Sequence, residues 1–160
     1  MHRTILIMML TFALAGCIEG VKPTPRQRDV AEEKPPARSL YERLGGEKGI
    51  TKVVDDFVAI VVADPDYRPA LKEHFQKGDV AGLKKKLVDQ IGEATGGPQK
   101  YKGKNMKDAH KGLGITNKDF DALAADLVKA LDRNKVGKAE KDELLGMLGK
   151  MRGDVVEKPE

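Results

Sequence analysis

The stretch Gly96-Gly97-Pro98-Gln99-Lys100-Tyr101-Lys102-Gly103-Lys104-Asn105-Met106-Lys107-Asp108-Ala109-His110 decides the fold of this 160-residue chain. Its Gly-Gly-Pro break separates the backbone that follows from any helix before it. Met106 lies four residues before His110, and positions i and i+4 share one face of a helical turn. The stretch therefore predicts a short amphipathic turn that holds one imidazole at the edge of an apolar site.

Apolar residues at helical spacing on both sides of this stretch predict helices and no strands. Ser39 and Glu42 form a capping box at the start of a short helix. Longer helices are expected over about Glu47 to Ala63, over Val80 to Ala94, after the cap pair Thr116 and Asp119, and over Lys138 to Met151. The predicted fold class is all-α, with few aromatic residues and a modest core that a bound apolar group would enlarge.

The pattern Gly-Gly-Pro-x-x-Tyr-x-Gly-x-x-Met-x-x-Ala-His, with Leu44-Gly45-Gly46 upstream, resembles the proximal segment of the group I truncated haemoglobins. The resemblance covers roughly Ser39 to Arg152 and implies that family's truncated globin-like 2-over-2 α-helical sandwich around a haem. In the family the histidine at this place binds the haem iron, so His110 is expected to be the proximal ligand. A histidine that only packs in the core or on the surface is the alternative interpretation.

The resemblance also implies which other residues contact the haem. They are Phe57, Val58, Phe75, Leu83, Lys86, Leu87, Tyr101 and Met106. Val58 stands where the family usually has a tyrosine that donates to bound oxygen, and Leu83 stands where many members have glutamine. Neither side chain can donate a hydrogen bond. A lost donor costs on the order of 1–3 kcal/mol, so we expect weaker retention of O₂ or use of another gas.

Two basic residues are candidates for the far face of the iron. At the Lys86 position some family members have a sixth iron ligand, and others have a group that pairs with a haem propionate. A solvated lysine is the third possibility. His74 is a further possible distal ligand, although packing on the haem edge is the simpler interpretation. Tyr101 and Lys100 can donate to a propionate, and packing on the protein surface is the alternative. Whether the iron is five- or six-coordinate stays open.

The N-terminus predicts export and lipid anchoring. Positive His2-Arg3 precedes an apolar run from Ile5 to Ala15, which is too short to span a bilayer and is typical of a signal peptide. Leu14-Ala15-Gly16-Cys17 resembles a bacterial lipobox, so residues 1–17 are expected to be a lipoprotein signal peptide ending at a lipidated Cys17. An export signal with an incidental cysteine is the alternative. The expected place is the periplasmic face of a bacterial membrane, the outer membrane by default.

The rest of the chain divides by composition. Residues 18–38, rich in proline and charge, are expected to be a disordered tether. Residues 39–155 are the predicted truncated globin domain, and residues 156–160 a disordered tail. The net charge of +4 is spread out, with no aromatic residues between the lysines, which argues against nucleic-acid binding. The lone cysteine excludes an internal disulfide, and we expect a monomer.

Three functions from different classes remain. The leading hypothesis is a membrane-tethered protein that binds O₂, NO or CO reversibly on a non-covalent haem b, since Cys-x-x-Cys-His is absent. The reductase that would keep its iron ferrous is unknown. The second hypothesis is a haem enzyme, such as a nitric oxide dioxygenase or a peroxidase-like activity, against which Val58 and Leu83 argue. The third is a non-haem helical lipoprotein module, against which the intact His110 pattern argues.

A second motif gives only weak support for a metal site. Asp132 to Glu143 resembles a calcium-binding loop between two helices. Val136 occupies the fifth ligand place, where it offers no side-chain oxygen, and nearby lysines oppose a dication. We therefore expect a polar turn between helices at this point.

Overall fold

The computed structural model describes residues 38–64 and 78–158. The predicted signal peptide, Cys17, nearly all of the tether, His74 and Phe75 lie outside the described residues. Within the two ranges every regular element is a helix, which confirms the all-α prediction. The helices are α1 Leu40–Arg43, α2 Gly46–Ala63, α3 Val80–Ala94, α4 Met106–His110, α5 Asn117–Arg133, α6 Lys138–Lys150 and α7 Arg152–Val155. No helix in these ranges has both the length and the apolar composition needed to cross a bilayer.

Glycines allow α1 to turn directly into α2. Gly45 and Gly46 have φ angles of 86° and 65°, in the left-handed region that costs little only for glycine. A Cβ atom on Gly49 would lie 1.9 Å from the carbonyl oxygen of Leu44, so only glycine fits there. The Leu44-Gly45-Gly46 sequence thus ends α1, and Gly46 is also the first residue of α2.

Helix α2 is the centre of the core. It packs against α5 on one side and α3 on another. The apolar residues whose helical spacing predicts this helix form a buried stripe, and they are Ile50, Val53, Val54, Phe57, Val58, Ile60 and Val61. Ala130 and Leu131 of α5 belong to the same core cluster as this stripe and are completely buried. Burial of each large aliphatic side chain contributes about 1.5–3 kcal/mol, so this layer fixes the spacing of α3 and α5.

The C-terminal residues return to the segment that follows α4. The backbone N–H groups of Glu157 and Lys158 both donate to the carbonyl oxygen of Ile115, at 2.9 Å and 3.0 Å. Val155 is buried, and α7 contacts α4. The hydrogen bonds thus continue past residue 155, where the sequence-based boundary of the domain was placed.

Candidate functional site

A cavity of about 400 Å³ lies beside α4. Most of its wall is apolar, formed by Phe57, Leu83, Leu87, Met106, Leu113, Ile115, Phe120, Leu123 and Val155. A second cavity of about 160 Å³ shares part of this wall, including Phe57, His110 and Phe120. A concave apolar site with a few polar groups is the usual form of a binding site for an organic ligand.

His110 lies in the wall of both cavities and is half-buried. Its Nδ1 atom is 2.7 Å from the carbonyl oxygen of Met106, one helical turn earlier. Because a carbonyl oxygen can only accept, Nδ1 carries the proton and donates it. In the neutral ring Nε2 then has no proton and presents a lone pair. Histidines that bind metals commonly donate their other ring N–H to a carbonyl or carboxylate in this way, which fixes the ring's orientation.

The residues of the quoted stretch explain why α4 begins where it does. The Asn105 side chain caps the helix by accepting from the backbone N–H of Asp108 at 2.8 Å. The Tyr101 hydroxyl donates to the carbonyl oxygen of Lys104 at 2.8 Å. A Cβ atom on Gly103 would lie 2.3 Å from that hydroxyl, so the Tyr-x-Gly spacing lets the phenol fold back over the chain. Met106 and His110 are thereby placed on the cavity side.

Glu93, near the end of α3, anchors the same segment. Its carboxylate accepts from the backbone N–H of Tyr101 at 2.9 Å and from the ammonium of Lys100 at 3.2 Å. The hydrogen bond from Tyr101, then the one from Lys100, lowers the pKa of Glu93 below its ordinary value of 4.5. Lys100, which the sequence offered as a propionate contact, is thus paired with Glu93 and does not line the cavity.

The structure brings most of the predicted haem contacts together. The cavity is lined by Phe57, Leu83, Lys86, Leu87, Tyr101, Met106 and His110. Val58 differs, because its side chain is buried in the core and lines neither cavity. Gln90 and Lys104 also line the larger cavity, but neither was predicted from the sequence as a haem contact. Gln90 could have been found from the sequence, since it lies one helical turn after Lys86.

Polar groups of the cavity include two lysines. Lys86 and Lys104 both line it, and among the described residues no carboxylate pairs with either ammonium. Gln90 donates from Nε2 to the sulfur atoms of Met106 at 3.1 Å and Met151 at 3.4 Å. Thioether sulfurs are weak acceptors, so Gln90 retains donor capacity inside the cavity.

The loop that resembles a calcium site uses its oxygens elsewhere. Asp132 pairs with Lys141, and Glu143 pairs with Arg43 of α1. Asn134 donates to the Asp56 carboxylate at 2.7 Å. These contacts tie the turn between α5 and α6 to α1 and α2, in agreement with a structural turn.

Comparison with known proteins identifies the family. The model of the bacterial-like globins matches residues 39–157. A group 1 truncated haemoglobin from Tetrahymena pyriformis is 34% identical over 76% of this chain and 97% of its own length. One from Mycolicibacterium paratuberculosis is 33% identical over 73% of this chain and 83% of its own.

Solved structures of related haemoglobins have a similar fold. The Fe(III) form of the T. pyriformis truncated haemoglobin superimposes with a TM-score of 0.68 at 34% identity, over 74% of this chain and 98% of that one. The 2/2 haemoglobin from a Synechococcus species, described in the cyanomet state with covalently attached haem, gives 0.67 at 31% identity, over 76% and 100%. These matches confirm the predicted 2-over-2 helical fold. The chain therefore belongs to the truncated globin family, with group 1 truncated haemoglobins among its relatives.

Proposed function

We propose that this chain binds one haem b in the cavity beside α4, with His110 as the proximal ligand, and that it carries a diatomic gas there. The observation that carries the proposal is the hydrogen bond from His110 Nδ1 to the Met106 carbonyl oxygen. It leaves Nε2 as the acceptor and orients the imidazole, which is what an axial haem ligand requires.

The chemistry of the lining residues fits a haem. The apolar wall matches the face of a porphyrin, and the ammonium groups of Lys86 and Lys104, which pair with no carboxylate among the described residues, match its carboxylates. Tyr101 lies on the same wall, where its hydroxyl is already donated to Lys104. When bound, the haem would supply an iron that can take O₂, NO or CO. The protein's own part is to hold the imidazole, exclude water and neutralise the propionates.

Non-covalent attachment is part of the proposal. The chain has no Cys-x-x-Cys-His motif, and its one cysteine is Cys17. The Synechococcus relative is described with covalently attached haem, so the two modes need to be distinguished by experiment. Extraction of the loaded protein with acidified butanone should move all of the haem into the organic phase.

The test is a titration of the full chain with haemin. We expect a Soret band that rises linearly and stops at one haemin per chain, because the cavity offers one axial imidazole among its described residues. After reduction under CO, the Soret band should sharpen and shift, as it does when a ferrous haem takes a gas. A Soret absorbance that rises without saturation would contradict a specific site. Haem left on the protein after extraction would contradict the non-covalent mode alone.

We also propose that lipid on Cys17 tethers the domain to a membrane, with the export signal and tether as the sequence predicts. The support is the Leu14-Ala15-Gly16-Cys17 pattern alone. Expression of the full chain with labelled palmitate should give a labelled protein in the membrane fraction. Cys17→Ser should remove the label and release the protein. A label that survives the substitution would contradict attachment at Cys17.

A further inference from the structure

α4, the helix that carries His110, has little stability of its own. α4 is five residues long, and none of its residues is fully buried. A single helical turn is unstable in isolation, because the first hydrogen bonds do not offset the entropy of fixing the backbone. The Asn105 cap secures its start. The orientation of His110 therefore depends on what secures the other end.

The other end is held by a segment that we call the C-terminal strap, residues 155–158. Its N–H groups at Glu157 and Lys158 donate to Ile115, five residues after His110. Thr116 and Lys158 form an isolated parallel bridge. Val155, at the start of the strap, lines both cavities together with His110. The strap thus lies along the loop that leaves α4.

The Glu157 side chain makes the most direct connection to that loop. Its Oε1 accepts from the backbone N–H of Gly112 at 2.6 Å, and its Oε2 accepts from the N–H of Gly114 at 2.5 Å. Gly112 and Gly114 have φ angles of 84° and 59°, so the turn adopts conformations suited to glycine. Hydrogen bonds to an ionised carboxylate are about twice as strong as those between neutral groups. One carboxylate therefore fixes two amides within four residues of His110.

The ionisation of Glu157 agrees with this geometry. The hydrogen bond from Gly112, followed by the one from Gly114, lowers the pKa of Glu157 below its ordinary value of 4.5. Its charge is therefore present at neutral pH. The Glu157 side chain is exposed, so its two hydrogen bonds lie at the surface and are not part of the core.

We propose that Glu157 is a positioning residue for His110, and that its carboxylate fixes the loop after α4 so that the imidazole keeps the orientation needed by an axial ligand. This inference rests on the proposed function, because it assigns to Glu157 a role toward the haem that His110 would hold. Glu157 lies outside the pattern from Gly96 to His110, 45 residues beyond Gly112 in the chain.

The test compares Glu157→Ala with Glu42→Ala. Glu42 is a matched control, because it is also an exposed glutamate whose carboxylate accepts a backbone N–H, from Ser39 at 2.9 Å, and it lines neither cavity. Without haem, Glu157→Ala should raise the hydrogen-exchange rates of the Gly112 and Gly114 amides. With haem, it should release haemin to excess apomyoglobin about tenfold faster, as is typical when a group that orients a metal ligand is lost.

A spectroscopic signature separates positioning from general stability. In the ferrous protein, Glu157→Ala should shift the iron–imidazole stretching frequency seen by resonance Raman, whereas Glu42→Ala should not. Glu157→Gln retains one acceptor oxygen and should give intermediate rates, and it replaces Glu157→Ala if that variant does not fold. Wild-type haemin release and an unchanged stretching frequency in Glu157→Ala would overturn the inference, as would equal changes in Glu42→Ala.

The outcome for His110→Ala keeps the two proposals distinct. If His110→Ala weakens haem binding and Glu157→Ala changes nothing, the positioning role alone is wrong. If His110→Ala binds haem as the wild type does, the proposed ligand is wrong and the role of Glu157 is overturned with it.

Discussion

Replacement of His110 by alanine should lower the affinity of the chain for haemin by more than about a hundredfold. Loss of a group that merely orients a metal ligand costs 10- to 100-fold, so loss of the ligand itself should exceed that range. Each factor of ten corresponds to about 1.4 kcal/mol of binding free energy. The measurement is a Soret titration of both proteins, followed by competition with apomyoglobin where binding is too tight to titrate.

The fold should survive this substitution. His110 is only half-buried, and among the described residues its side chain makes one hydrogen bond, which lies within its own helical turn. Far-ultraviolet circular dichroism of the haem-free His110→Ala protein should therefore match that of the wild type. Free imidazole should restore part of the Soret band, because it can enter the space left by the side chain and supply the missing nitrogen.

A second histidine variant makes the assignment specific. His74 is the other histidine of the predicted globin domain, and the sequence offers it as a possible distal ligand. His74→Ala should retain full haemin affinity if the ligand is His110. Equal losses in the two variants would mean that both imidazoles bind the iron, and a loss in His74→Ala alone would refute His110 as the ligand.

The sequence predicted those features that depend on neighbouring residues. Both capping boxes, Ser39 with Glu42 and Thr116 with Asp119, are present as expected. α3 spans Val80–Ala94, as its periodicity and the Gly96-Gly97 break indicate. These signals are local, because a cap or an apolar stripe involves residues only a few positions apart.

Features that depend on distant contacts were not predictable. In the strap, the Glu157 carboxylate accepts from the backbone N–H of Gly112, 45 positions earlier. A backbone N–H group belongs to almost every residue type, so this contact has no recognisable pattern in the sequence. Lys100 could serve a propionate or a carboxylate, and only the fold shows Glu93 beside it. Val58 follows Phe57 on α2, yet only Phe57 lines the cavity, because adjacent helical residues point about 100° apart.

The position of Val58 decides which substitution can add a hydrogen-bond donor to the cavity. The resemblance suggests two sites, Val58 and Leu83, where related proteins have donors. Val58 is 4% exposed within the core, so tyrosine there would overpack it at a cost of about 1–3 kcal/mol. Leu83 already lines the cavity on α3 and is not fully buried. Leu83→Gln is therefore the substitution that should place an amide beside a bound gas.

We expect Leu83→Gln to slow the dissociation of O₂ from the ferrous haem protein by about ten- to a hundredfold. Bound O₂ carries partial negative charge, and one hydrogen bond to it stabilises the complex by on the order of 1–3 kcal/mol. Because each 1.4 kcal/mol is a factor of ten, this free energy covers that range. Stopped-flow replacement of O₂ by CO measures the rate directly.

Leu83→Met is the matched control, because methionine keeps the apolar volume and brings no N–H group. It should leave O₂ dissociation within about twofold of the wild type. CO dissociation, which senses a donor less strongly, should change little in either variant. Equal O₂ rates in Leu83→Gln and Leu83→Met would mean that position 83 does not face the gas. Gln90 would then be the other candidate donor of the cavity, because among the described residues its Nε2 group donates to thioether sulfurs on the same wall.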